Sequence, residues 1–141
     1  MKLNFDTETI RLMTLFENML HVRVKDCVLD PESNSICLII EEGMIGLAIG
    51  KNGASVKHAE KVVGKSIKLF EFSGNMVEFV KKMIPQTTSV RVRSEDDGRT
   101  VVEVHVERKN RPIVIGRDGR NLKLYKELLK RNHKADDLVV R

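Results

Sequence analysis

A chain of 141 residues with five Phe, one Tyr and no Trp must build its core from aliphatic side chains, and its length suits one ordinary domain or two small ones. The net charge of +5 is uneven: residues 1–74 hold nine Lys/Arg against ten Asp/Glu, and residues 75–141 hold sixteen against ten. A basic second half points to a polyanionic partner, and to nucleic acid rather than a membrane, because no strongly apolar amphipathic helix accompanies it.

Taken in order, Asp6 or Thr7 can cap a first helix that runs to about Leu20, with Ile10, Met13, Phe16, Met19 and Leu20 as its apolar face. His21 to Leu29 reads as a strand, Asp30-Pro31-Glu32-Ser33-Asn34 as a turn, and Ser35 to Glu42 as a more buried strand ended by Gly43. Residues 44–49 are too few for an independent helix but form a turn or two before a break at Gly50. Ala54 to Val63 is the next helix, with Val56, Ala59, Val62 and Val63 apolar, and Gly64 stops it; Ser66 to Phe72 is a third strand.

The programme then repeats. Ser73 or Asn75 caps a helix that Pro85 closes; Thr88 to Arg93 and Arg99 to Val106 are strands joined at Asp97-Gly98, with Val102, Val104 and Val106 on one face. Residues 110–115 form a short turn before Gly116, Arg120 to Arg131 a long helix carrying Leu122, Tyr125, Leu128 and Leu129, and Leu138-Val139-Val140 a closing strand. Each half is helix, strand, strand, short helix, G-x-x-G, helix, strand. The boundary falls near Phe72 to Asn75 with almost no linker, so the two units are expected to pack as neighbours.

The repeat centres on Ile49-Gly50-Lys51-Asn52-Gly53 and Ile115-Gly116-Arg117-Asp118-Gly119, whose glycines lie 66 residues apart. A break between two helices leaves unpaired N–H groups and the positive end of a dipole at the start of the second, which favours an anion. Glycines let a phosphodiester backbone come close. Lys51 and Arg117 can pair with phosphates, and Lys57, Arg120 and Lys123 can extend the track. Beside each loop an apolar groove is expected, bordered by Ile45, Ile49 and Val56 in the first half and by Ile113, Ile115 and Leu122 in the second. Aliphatic side chains under an unpaired base suit a single strand, and the scarcity of aromatics argues against ring-on-base stacking.

These strings resemble the G-x-x-G loops of KH domains, and a helix and two strands ahead of the loop resemble the type II, prokaryotic arrangement. Two such units filling the chain resemble the archaeal NusA-like transcription termination proteins. The resemblance implies an α+β fold of two tandem type II KH domains, residues 1–73 and 74–141, each a three-stranded sheet packed against three helices. It implies single-stranded RNA binding in transcription termination or antitermination, with RNA polymerase or other transcription proteins as further partners. Within the loops it carries over to Gly50, Lys51, Asn52 and Gly53, and to Gly116, Arg117, Asp118 and Gly119, the middle pair of each facing the RNA backbone. Bacterial NusA adds a polymerase-binding domain and an S1 domain, for which these 141 residues have no room. The alternatives are a KH-fold protein adaptor in a polymerase or ribosome-associated assembly, and an RNA-binding ribosome biogenesis factor.

No enzyme, cofactor or metal is expected. His21, His58, His105 and His133 fall on different elements without an H-E-x-x-H, and neither loop is a G-x-G-x-x-G or a G-x-x-x-x-G-K-[ST]. Cys27 and Cys37 lie in strand-like runs without a C-x-x-C neighbour and read as buried thiols in a reducing compartment. With no signal-like run at its start and no long apolar stretch, the protein is expected in the cytoplasm. Arg91 and Arg93 suit either an RNA-facing edge or a solvent face.

Overall fold

The computed structural model describes residues 7–141, and in it the chain divides into two units, one ending at Ser73 and the other spanning Gly74–Arg141. The first unit runs α1 (Thr7–Leu20), β1 (Val24–Asp30), β2 (Ser35–Ile40), α2 (Ile45–Ile49), a 3-10 turn (Lys51–Gly53), α3 (Ala54–Val63) and β3 (Ser66–Glu71). The second repeats the order with α4 (Met76–Met83), β4 (Thr87–Ser94), β5 (Thr100–Val106), α5 (Arg111–Ile115), a 3-10 turn (Arg117–Gly119), α6 (Arg120–His133) and β6 (Asp137–Val140), and a further 3-10 turn (Arg108–Asn110) leads into α5. Each unit is the expected α+β sandwich of one three-stranded sheet against three helices.

Both sheets share one topology. In each, the second strand is central, pairing antiparallel with the strand before it and parallel with the last. The parallel partner is reached by a crossover, and that crossover holds the short helix, the glycine loop and the long helix. The fold therefore ties the loop at both ends: the chain enters it from the central strand and leaves it toward the edge strand. All six residues of β2 are buried, as the apolar run Ile36-Cys37-Leu38-Ile39-Ile40 after Ser35 requires. Ile36, Leu38 and Ile40 pack with Phe16 and Leu20 of α1, Ala48 of α2 and Ala59 of α3. In the second unit Val102, Val104, Phe79, Val114, Leu124, Leu128 and Leu138 are buried.

Several expectations shift by a residue or two. The helix-to-strand change comes later than His21 because His21 itself adopts a left-handed φ of 57°, its N–H closing on Glu17 O at 2.9 Å. Glu17 Oε2 also accepts the Val24 N–H at 2.9 Å, which pins the start of β1. On α1 the buried stripe is Thr9, Phe16 and Leu20, with Leu12, Met13 and Met19 against it, and Ile10 is 51% exposed. Val62 on α3 is likewise exposed. On α6 Leu124 is buried, whereas Leu122 and Tyr125 are half-buried. The residues of β5 from Val101 to Val104 are all buried, Glu103 included. The helix cap considered at Asp6 lies outside the described residues.

Of the two caps considered for α4, Asn75 does the work: its Oδ1 accepts the Glu78 N–H at 3.0 Å. Asn75→Ala is expected to cost about 1 kcal/mol, lowering the thermal midpoint of the second unit by roughly 5 °C; an unchanged melting curve would refute the cap. Burial pushes the Cys37 thiol up to about 11, as suits an inert core sulfur. The outer strands β1 and β4 each carry a bulge, between Val24 and Asp26 and between Thr87 and Ser89, which breaks the flat edge on which another strand could pair. No helix among the described residues is long and apolar enough to cross a membrane.

Candidate nucleic-acid interface

The two glycine loops are the same object built twice. Gly50 has φ 77°, ψ 173° and Gly116 φ 77°, ψ 170°; Asn52 lies at 55°, 29° and Asp118 at 56°, 24°; Gly53 lies at 75°, 14° and Gly119 at 74°, 17°. Two left-handed residues in succession reverse the chain between the short and the long helix. Outside glycine, asparagine and aspartate tolerate that conformation best, and they are the residues found at the third loop position.

The glycines divide into two kinds. A Cβ on Gly50 would strike Ser55, meeting its Cβ and backbone nitrogen at 2.8 Å, and one on Gly116 would meet Asn121 Cγ at 2.8 Å and its backbone nitrogen at 3.0 Å. These glycines serve the chain's own close approach, not that of a ligand. On Gly53 a Cβ would meet only Lys57 Cε, at 3.6 Å, and on Gly119 nothing within 4 Å. The open side of each loop is therefore its second glycine. Asn121 also braces its loop, donating from Nδ2 to Ile113 O at 2.9 Å across the turn.

The donors at the start of the long helix are fewer than the sequence suggests. Gly53 N–H bonds to Gly50 O at 3.1 Å and Ala54 N–H to Lys51 O; Gly119 and Arg120 repeat the pattern on Gly116 and Arg117. The 3-10 turn thus takes up these amides, and the first residues of the turn, Lys51 with Asn52 and Arg117 with Asp118, have no partner within it. Their side chains are exposed at the tip. Lys57, Arg120 and Lys123 are exposed on the helices that follow.

The expected apolar borders are only partly available. Ile45 and Val56 pack against the core of the first unit, while Ile49 is 40% exposed. Ile113 is 59% exposed, and Ile115 and Leu122 are half-buried. Leu47, 64% exposed, belongs with them. The 66-residue offset that pairs the loops sets Leu47 opposite Ile113, and applying it to the groove would have found Leu47. Between these exposed side chains, Ala48 and Val114 are buried and anchor the two short helices.

Other candidates resolve toward structure. Arg93 donates from Nη1 to the buried Glu103 Oε1 at 2.6 Å and from Nη2 pairs with Glu95 at 3.2 Å, so it serves the sheet, while Arg91 is exposed. His133 stacks at 45° on Phe79, 5.1 Å between centroids. Among the described residues no cluster of His, Cys, Asp or Glu could hold a metal ion.

Residues 12–74 match the family described as KH domain. The chain is 27% identical to the protein of the crystal structure of APE1850, with a TM-score of 0.83 over 97% of this chain and 100% of that one. A probable transcription termination protein NusA of Halobacterium salinarum is 27% identical over 98% of both chains, and one of Methanococcus vannielii is 36% identical over 86% of this chain and 70% of its own. The counterpart in Methanocaldococcus jannaschii is 33% identical over 99% of this chain and 75% of its own. With a third of its residues shared along nearly its whole length, the chain belongs to the family of the probable transcription termination protein NusA.

Proposed function

We propose that the chain is a tandem type II KH protein that binds single-stranded RNA through both glycine loops and acts in transcription termination or antitermination. The observation that carries this reading is the duplicated loop, held at the same torsions in both units with one exposed cation at each tip. In this reading Lys51 and Arg117 pair with phosphates, and Gly53 and Gly119 give the backbone its approach. Leu47, Ile49, Ile113 and Ile115 lie under unpaired bases, whose faces a duplex would hide. The role in transcription is supported by relatives described as probable transcription termination protein NusA, and it has the protein work in the cytoplasm.

The test is a titration of fluorescent single-stranded RNA against the full chain at two salt concentrations, with duplex RNA and matched DNA as controls. With about four phosphates contacted, a fourfold rise in salt is expected to weaken binding about fiftyfold. Absence of RNA binding at low salt, or equal binding of duplex, would overturn the proposal.

A further inference from the structure

Beyond the first loop, along α3, lies an open depression of ≈ 530 Å³ lined by Asn34, Lys57, Glu60, Lys61, Gly64, Lys65 and Ser66. Three cations face one carboxylate there, and that carboxylate is already engaged: Glu60 Oε2 accepts the Ile67 N–H at 2.9 Å. Lys57, Lys61 and Lys65 are exposed, and none has an ion-pair partner among the described residues. The C-terminal end of α3 carries a partial negative charge of about half a unit, which three ammonium groups outweigh. The depression is continuous with the loop, because the Lys57 side chain lies beside Gly53, its Cε 3.6 Å from where a Cβ there would sit.

The second unit lacks this feature. At the 66-residue offset, Lys61 corresponds to Glu127; Lys65, which follows the α3 cap Gly64, is matched beyond the four-residue-longer α6 by Ala135, which follows the cap Lys134. Glu127 carries the opposite charge and pairs within its own helix, its Oε1 lying 3.7 Å from Arg131 Nη1. Lys126, at the position of Glu60, is held by Asp137 at 3.2 Å. The sequence Lys57, Lys61, Lys65 of the first unit, whose overall charge is the lower of the two, thus has Lys123, Glu127 and Ala135 in its place in the second.

Resting on the RNA-binding reading above, we infer that a strand gripped at Lys51 continues along α3 and sets further phosphates on Lys57, Lys61 and Lys65, so that the first unit has the longer footprint. The ten residues of α3 rise about 15 Å, several times the rise of about 3.4 Å per nucleotide in a stacked strand. The row reads no base, since exposed lysines meet phosphates as point charges; it lengthens the track without adding sequence preference.

The experiment compares the full chain with the double variant Lys61→Gln, Lys65→Gln, using single-stranded RNA of about four nucleotides, the length a G-x-x-G loop clamps, and of about ten. The four-nucleotide RNA is expected to bind both proteins alike. For the longer RNA the slope of log affinity against log salt should fall by about 1.4 in the variant, two contacts at 0.7 each. An unchanged slope on the longer RNA, while Lys51→Asp with Arg117→Asp still abolishes binding, overturns the row and leaves the loops standing. A wild type that binds no RNA overturns both, and a variant that loses an acidic peptide instead of RNA makes the depression a protein-docking site and also overturns the row. The substituted lysines are exposed, so equal melting temperatures verify that the fold is intact.

Discussion

Gly50→Ala and Gly116→Ala are each expected to destabilise their unit by about 3 kcal/mol and to lower its thermal midpoint by roughly 15 °C. Two independent costs add. At φ 77° with ψ near 170° the backbone occupies a region open essentially to glycine alone. The new methyl group would also overlap Ser55 or Asn121, and in both cases one of the atoms met is a backbone nitrogen, which cannot swing aside as a side-chain tip can. Gly53→Ala and Gly119→Ala carry only the left-handed penalty of about 1 kcal/mol, since nothing crowds them. Thermal unfolding of the four single variants checks this. Equal losses at the first and second glycines would mean that contact with the following helix does not matter.

That split shows where sequence reasoning reached and where it stopped. The motif spacing located both loops and ordered every element around them, because glycine punctuation and helical period are local signals. The division of labour between Gly50 and Gly53 is not local: it depends on how Ser55 comes back toward the loop one helical turn later. On α1 four of the five expected apolar positions face the core and only Ile10 departs, Thr9 being buried in its stead, because neighbours 100° apart on a helix both fit a broad apolar face and only the packed sheet decides between them. Arg93 could not be assigned because its partner Glu103 reads as an exposed residue in an alternating strand and is in fact buried.

The largest expected effect on binding comes from Lys51→Asp combined with Arg117→Asp. Each change removes a phosphate partner and sets a like charge at the tip of a loop, so the pair is expected to lower RNA affinity by about 3 kcal/mol or more, at least two orders of magnitude. Stability should hardly move, since both side chains are exposed and surface changes of this kind are usually worth no more than about 0.5 kcal/mol. The single variants separate the units. Overall charge favours a greater loss at Arg117, whose guanidinium can grip a phosphate with two hydrogen bonds. The lysine row along α3 and just past its end favours a smaller loss at Lys51, because other contacts remain to hold the strand. Binding assays on the double variant that match wild type would show that the loops are scaffold.

The left-handed residue in the middle of each loop sets a ceiling on how cationic the turn can become. Lys134 shows that this chain does place a lysine at φ 58°, at the cap of a helix, where it bears a strain of about 1 kcal/mol. A lysine in place of Asn52 or Asp118 would meet the same strain, comparable to what one more exposed phosphate contact returns. Asp118 is then a conformational choice whose repulsion of phosphate is tolerated, and each turn settles at a single cation. A second cation in the four-residue loop therefore returns little net grip, and further contacts come more cheaply from duplicating the unit, as this chain does, or from the helix beyond.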